Sequence, residues 1–230
     1  MRVLVGCEYS GTVRDAFIAR GHDAVSCDLL PTERPGPHYQ GSVLDLLGGQ
    51  HWDLGIFHPP CTYLTSAGLF RNAGNPERQA MTEEALQFVR LLLDAGIERI
   101  ALENPVGRIG TAVRKSSQTI QPYDFGEDAS KATCLWLKNL PLLVADPSNR
   151  YPGRWVIDPR NGKTVERWSN QTDSGQNNLP PSKDRWKDRS RTYQGIADAM
   201  ADQWGGGTVQ SVALHAAPVV RQEAQYSMQF

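Results

Sequence analysis

Arg2-Val3-Leu4-Val5-Gly6 runs directly into Cys7-Glu8-Tyr9-Ser10-Gly11, and that into Thr12-Val13-Arg14-Asp15-Ala16-Phe17-Ile18-Ala19-Arg20. The first five residues are a short β-branched-rich run ended by glycine, the pattern of a buried strand. The last nine place Val13, Ala16, Phe17 and Ile18 along one helical face, which Gly21 terminates. Strand, glycine-bounded turn and helix in that order open an α/β domain.

The alternation continues. Asp23–Asp28 reads as a second strand closing on Cys27-Asp28-Leu29, and residues 30–40, with three prolines, read as a loop. A short apolar segment, 43–47, precedes Trp52-Asp53-Leu54-Gly55-Ile56-Phe57, a strand stopped by Pro59-Pro60. Residues 76–95 carry Ala85, Phe88, Val89, Leu92 and Leu93 at helical spacing, and 97–102 form the next strand, halted by Glu103-Asn104-Pro105. This predicts a doubly wound parallel sheet with helices on both faces, a Rossmann-like α/β fold. Ligands in such sheets sit outside the carboxyl ends of the strands. Cys7, Glu8, Asp28, Asp45, His58, Cys61 and Glu103 are all expected just past strand ends, in one site. Periodicity weakens from 106 to 191, where only Thr133-Cys134-Leu135-Trp136-Leu137 is strand-like. Residues 192–204 predict a closing helix, and 206–230 a flexible tail.

Composition narrows the classes. With 230 residues, 40% hydrophobic and 21% charged, the chain can bury a sizeable core, which excludes wholesale disorder. No apolar run approaches the ~18 residues of a membrane span, and the N-terminus lacks a signal-peptide pattern. Cys7, Cys27, Cys61 and Cys134 are widely spaced without a Cys-x-x-Cys pair, so neither a disulfide scaffold nor a metal centre is expected. A monomer in a reducing cytoplasm is the expectation. The net charge of −1 hides a split: residues 150–191 hold ten Lys and Arg against five Asp and Glu, leaving 14 of 24 cations and 20 of 25 acids elsewhere.

The turn after the first strand fits neither a P-loop nor the Gly-x-Gly-x-x-Gly dinucleotide pattern. Asp28 at the end of the second strand is placed to take ribose hydroxyls, with Asp45 after the next apolar segment. An acidic ribose anchor without a basic phosphate partner fits S-adenosylmethionine, an adenosine with no phosphate. In His58-Pro59-Pro60-Cys61-Thr62-Tyr63, two prolines stiffen the backbone and hold Cys61 at the cleft rim, a candidate nucleophile. Glu103, desolvated in the same cleft, is expected to be held protonated and to donate a hydrogen bond to a heteroaromatic ring.

These residues resemble the small DNA (cytosine-5)-methyltransferases carried by bacteriophages. Gly6-Cys7-Glu8-Tyr9-Ser10-Gly11 resembles the family's first cofactor loop, and Pro60-Cys61 and Glu103-Asn104 its nucleophile and Glu-Asn motifs. Residues 191–204, with Gly195-Ile196-Ala197, are similar to the segment that returns to the cofactor pocket. The resemblance implies the class I S-adenosylmethionine-dependent methyltransferase fold. The catalytic domain is then 1–145 plus 189–205, and 146–188 form a short irregular basic recognition insert. Implied cofactor contacts are Cys7, Glu8, Tyr9, Ser10, Gly11, Asp28, Leu29, Asp45 and Pro59; implied catalytic residues are Cys61, Glu103, Asn104 and Lys131. Asp124-Phe125-Gly126 begins a segment in which Ala129, Lys131 and Thr133 stand where the family has Gln, Arg and Arg; Lys131 is expected to keep one arginine role. The implied partner is DNA, whose phosphates would meet Arg154, Arg167, Lys183, Arg185, Lys187, Arg189 and Arg191, with Trp155, Trp168 and Trp186 interleaved. So short an insert implies modest sequence specificity.

The implied reaction has Cys61 adding to cytosine carbon 6 while Glu103 binds ring nitrogen 3, with base flipping. Three rivals share many of these residues. One is a cytosine-5 enzyme transferring a different group, one an amino-methyltransferase of DNA, and one a non-catalytic DNA-binding protein.

Overall fold

The computed structural model describes residues 1–183 and 185–206. The expected tail from 207 onward lies outside the described residues. Among the described residues nine strands and seven α-helices follow in chain order: β1 (Arg2–Gly6), α1 (Thr12–Ala19), β2 (Asp23–Asp28), β3 (His38–Gln40), α2 (Leu44–Leu47), β4 (Leu54–Phe57), α3 (Ser66–Leu69), α4 (Pro76–Leu93), β5 (Arg99–Pro105), α5 (Ile109–Ala112), β6 (Gln118–Ile120), β7 (Thr133–Lys138), β8 (Arg154–Ile157), β9 (Thr164–Arg167), α6 (Arg185–Ser190) and α7 (Gln194–Trp204). Seven strands form one sheet in the order β3-β2-β1-β4-β5-β7-β6, and β8-β9 form a separate hairpin.

The strands from β3 to β5 pair in parallel, whereas β7 runs antiparallel to both β5 and β6. The sheet is therefore mixed, not wholly parallel as the strand–helix alternation predicted. It remains a mostly parallel α/β sheet flanked by helices, compatible with a Rossmann-like fold. Strand period two divides its side chains between two cores. Val3, Val5, Leu54, Ile56 and Ala101 face Val13 and Phe17 of α1 and Ile196, Met200 and Trp204 of α7. Leu4, Phe57, Ile100 and Leu102 face Leu86, Val89 and Leu92 of α4.

Two features position the site. Chain order reverses between β1 and β4, so the crevice where such sheets bind ligands opens above those two strands. In addition, β5 does not stop at Glu103: Glu103, Asn104 and Pro105 pair with Leu135, Cys134 and Thr133 of β7. The antiparallel partner, distant in sequence, carries the strand through the Glu-Asn pair. The other departures are similar in kind. The predicted loop 30–40 ends in β3, held by β2, and the weakly periodic 106–191 contains β6, the β8–β9 hairpin and α6. Among the described residues no helix is long and apolar enough to cross a membrane.

Candidate active site

Gly6 closes β1 where only glycine fits, because a Cβ there would lie 2.6 Å from Val43 Cγ2 and 2.7 Å from Phe57 Cδ1. Cys7 follows at φ 59°, a left-handed conformation that strains a non-glycine residue and turns the chain sharply. The next residue, Glu8, is buried, and its carboxylate faces α1. Its Oε1 accepts from Val13 N at 2.7 Å and from Ser10 Oγ at 3.1 Å, and its Oε2 accepts from Arg14 N at 3.3 Å. Glu8, expected among the cofactor contacts, thus has its carboxylate engaged as the cap of α1. Ser10 Oγ also accepts from Thr12 N at 3.3 Å, so the amides that could cradle a phosphate already have partners.

Asp28 ends β2, its Oδ1 accepting from Leu30 N at 2.9 Å. Burial raises its pKa, opposed by that N–H and by His38 and His58. The loop beyond it is organised by Arg14, whose fully buried guanidinium donates to Ser26 Oγ, Thr32 Oγ1 and the carbonyls of Arg34 and Pro35. Leu29 stands exposed at the rim. Burial, Asp28 and Cys27 keep Cys7 a protonated thiol. Asp45 is not at a strand end: it lies in α2, exposed, and accepts from Tyr39 Oη at 3.1 Å.

The Pro-Pro-Cys loop is anchored at both ends. His58 N donates to the Gly6 carbonyl at 3.0 Å, tying it to β1, and Asn104 Nδ2 donates to the Pro59 carbonyl at 2.7 Å, tying it to β5. Leu64 N and Thr65 N close on the Cys61 carbonyl at 3.0 Å, and Arg108 N reaches the Leu64 carbonyl at 2.7 Å. Cys61 is therefore presented by a braced turn. Burial pushes its thiol pKa up, as does Glu103, against Lys131 and Arg189, which pull it down. In the free protein the balance favours the thiol.

Glu103 is largely buried and meets His58 Nδ1 at 3.4 Å through Oε2. Burial pushes its pKa up, but the His58 hydrogen bond, the Lys131 charge and Thr133 outweigh it, and the carboxyl is held below its ordinary range. This corrects the expectation that desolvation keeps Glu103 protonated. Lys131 and Thr133, two of the three altered positions, flank the acid, while Ala129, the third, is buried away as an apolar residue. Asn104 is buried with Oδ1 unpartnered, and His58 Nε2 is buried and unpartnered too. Tyr193, Ile196 and Met200 around the start of α7 join Glu103, Lys131 and Thr133 around a small cleft. A wider cavity, lined by Leu93, Asp94, Arg114 and Lys138, lies at the other end of the strands, beside the amino end of β5.

The basic segment divides in two. In the hairpin, Arg154 pairs with Asp173 at 2.6 Å and Arg167 with Asp158 at 3.0 Å. Arg150 holds Glu166 at 2.6 Å and lies over the stacked rings of Tyr123 and Trp168. The expected phosphate contacts Arg154 and Arg167 thus neutralise acids of their own segment, and Trp168 is a buried anchor; Trp155 stays exposed. On α6 the picture differs. Tyr9 Oη donates to the Lys187 carbonyl at 3.0 Å, and its ring lies 6.2 Å from that of Trp186. Arg189 acts on Cys61, Arg185 Nη2 reaches Asn177 Oδ1 at 3.4 Å, Lys183 is exposed, and Arg191 pairs with Glu33 at 2.9 Å.

The structure therefore gathers Cys61, Glu103, Asn104 and Lys131 at the carboxyl ends of β4 and β5, with the first loop and Asp28 beside them. His58 and Thr133 belong to the same cluster, although the motifs alone gave neither a role. Among the described residues no group of three or more His, Cys, Asp or Glu is placed to hold a metal ion. Compared with known proteins, the chain matches no family model and no curated relative.

Proposed function

We propose that the chain is a DNA (cytosine-5)-methyltransferase that uses S-adenosylmethionine. The observation that carries this reading is the meeting of Cys61 with Glu103, Lys131 and Arg189: a nucleophile whose protonation is set first by burial and then by an acid and two cations. The adjacent crevice suits the donor. Asp28 stands at the β2 end for ribose hydroxyls, while the α1 amides, already capped by Glu8 and Ser10, offer no phosphate cradle. Cys7, Tyr9, Gly11, Leu29 and Pro59 border that crevice in this reading, and the bound donor supplies the methyl group that carbon 5 takes up.

The protein's part follows from its charges. Extruding a cytosine from the duplex takes about a few kcal/mol, and the base then faces Glu103. Glu103 takes up a proton as it hydrogen-bonds ring nitrogen 3, which cancels the carboxylate charge that opposes ionisation of Cys61. The proton that Glu103 takes up is the one Cys61 gives up; Lys131 and Arg189 then favour the thiolate, which adds to carbon 6 and is expelled again when the methylated carbon 5 loses its proton. Binding the base and arming the nucleophile are one event. Asn104, by gripping the Pro59 carbonyl, keeps the cysteine loop and the acid in register.

Trapping on duplex DNA containing 5-fluorocytosine tests the reading. A covalent adduct should form only with S-adenosylmethionine present and vanish in Cys61→Ala; an adduct that persists in that variant overturns it. Glu103→Ala should lower turnover by about 10²–10⁴. Nucleoside mass spectrometry of DNA from expressing cells reads the mass and position of the transferred group, which separates 5-methylcytosine from an amino-methylated or more heavily substituted base.

A further inference from the structure

We propose that His58 joins the two halves of the site, positioning Glu103 through Nδ1 and contacting the amino-acid end of the methyl donor through Nε2. The inference rests on the methyltransferase reading above. Its first part is geometric. Nδ1 lies 3.4 Å from Glu103 Oε2, and an ionised carboxylate only accepts, so the Nδ1 proton points at the acid and fixes the ring. The second part is a missing partner. The His58 side chain is only 8% exposed, yet Nε2 is buried with no hydrogen-bond partner in the protein. A buried polar atom left bare calls for a ligand or water to complete it.

Its place in the fold says which ligand. His58 follows β4 and bonds through its backbone to Gly6 at the end of β1, which puts it at the point where strand order reverses. Asp28 at the end of β2 lies on one side, near enough to feel its charge, and Glu103 of β5 lies on the other. A donor whose ribose is held by Asp28 and whose methyl group must reach a base held by Glu103 spans β1 and β4. Its sulfonium and amino-acid tail then lie over His58. The side chain of a residue next to the prolines thus sets the distance between donor and base.

The two nitrogens can be separated by substitution. The Asn amide of His58→Asn reaches the place of Nδ1, and the Gln amide of His58→Gln the place of Nε2. The probes are S-adenosylhomocysteine, which carries the amino-acid tail, and 5′-methylthioadenosine, which lacks it, titrated calorimetrically into the full chain. His58→Asn should weaken S-adenosylhomocysteine about tenfold and leave 5′-methylthioadenosine unchanged. Its single-turnover rate on DNA at saturating donor should fall by less than that of His58→Gln. His58→Gln should keep S-adenosylhomocysteine affinity but slow single turnover about tenfold to a hundredfold, the effect of a misplaced acid. Three results overturn the inference: unchanged S-adenosylhomocysteine affinity in His58→Asn, equal losses for both nucleosides, or an unchanged turnover rate in His58→Gln. Equal loss of binding and rate in both folded variants assigns His58 a packing role and also overturns it. If the unsubstituted protein modifies DNA and either variant fails its test, His58 alone is misassigned. If it binds S-adenosylhomocysteine but neither traps nor modifies DNA, the methyltransferase reading falls.

Discussion

Replacing Glu8 tests whether its carboxylate serves the fold or a ligand. In the structure it accepts from Val13 N at 2.7 Å, Arg14 N at 3.3 Å and Ser10 Oγ at 3.1 Å, all in a buried setting. Glu8→Ala leaves two backbone N–H groups at the start of α1 without that acceptor. A lost helix cap costs about 0.5–2 kcal/mol, and buried hydrogen bonds to a charged group about 1.5–3 kcal/mol. The bonds share one carboxylate, so the figures overlap rather than add, and the expected loss is about 3 kcal/mol. Because α1 carries Val13 and Phe17 into the core, the loss is felt globally. For a chain of this size it corresponds to a fall of about 6–12 °C in melting temperature. Glu8→Gln keeps one acceptor oxygen but turns an N–H toward an N–H, and should lose about half as much. Urea unfolding gives the free energy, and calorimetric titration gives S-adenosylhomocysteine affinity, expected to change less than about threefold in Glu8→Gln. A loss below about 1 kcal/mol in Glu8→Ala, or a tenfold weaker ligand in Glu8→Gln at unchanged stability, refutes the capping role.

Asp28 should show the opposite balance. Burial raises its folded pKa above the unfolded value, so stability falls as pH rises through the window between the two. Asp28→Asn removes that cost and keeps an oxygen for Leu30 N; its melting temperature should rise at pH 7, the gain shrinking as pH is lowered toward 4, while adenosine binding weakens. A melting temperature unchanged at pH 7 would remove burial strain from the account. DNA affinity against salt should separate the basic residues: Arg189→Ala should flatten the log–log slope by about one, and Arg154→Ala by less than half as much. Equal slopes would mean that the Arg154–Asp173 pair opens on DNA.

What could be read from the sequence was what local pattern decides. The β1 turn and α1, the strand at Asp23–Asp28 and the long helix α4 all announce themselves through period and glycine or proline punctuation. What could not be read depends on partners far along the chain. The strand through Glu103 and Asn104 exists because β7 lies beside it, and the ionisation of Glu103 is set by His58, Lys131 and Thr133 from separate segments. α6 has only six residues and no apolar stripe, so helical spacing had nothing to detect. Glu8 had no such signal: it stands three residues before Gly11, the N-cap of α1, and only the folded turn brings its carboxylate to the amides of Val13 and Arg14.

The uneven charge of the chain takes on a different meaning once these contacts are known. The excess of cations in residues 150–191 suggested one continuous phosphate clamp, yet in and around the hairpin Arg150, Arg154 and Arg167 are already paired with Glu166, Asp173 and Asp158. Exposed ion pairs of this kind add little stability, but each lowers the charge its arginine offers to a phosphate. The helix α6 differs: Tyr9 ties it to the first loop, and its Arg189 is set where it acts on Cys61. A phosphate drawn to α6 is thereby drawn to the nucleophile. In the proposed reaction the surface that attracts DNA and the surface that favours the Cys61 thiolate are the same short helix, so substitutions at Arg189 should change binding and chemistry together.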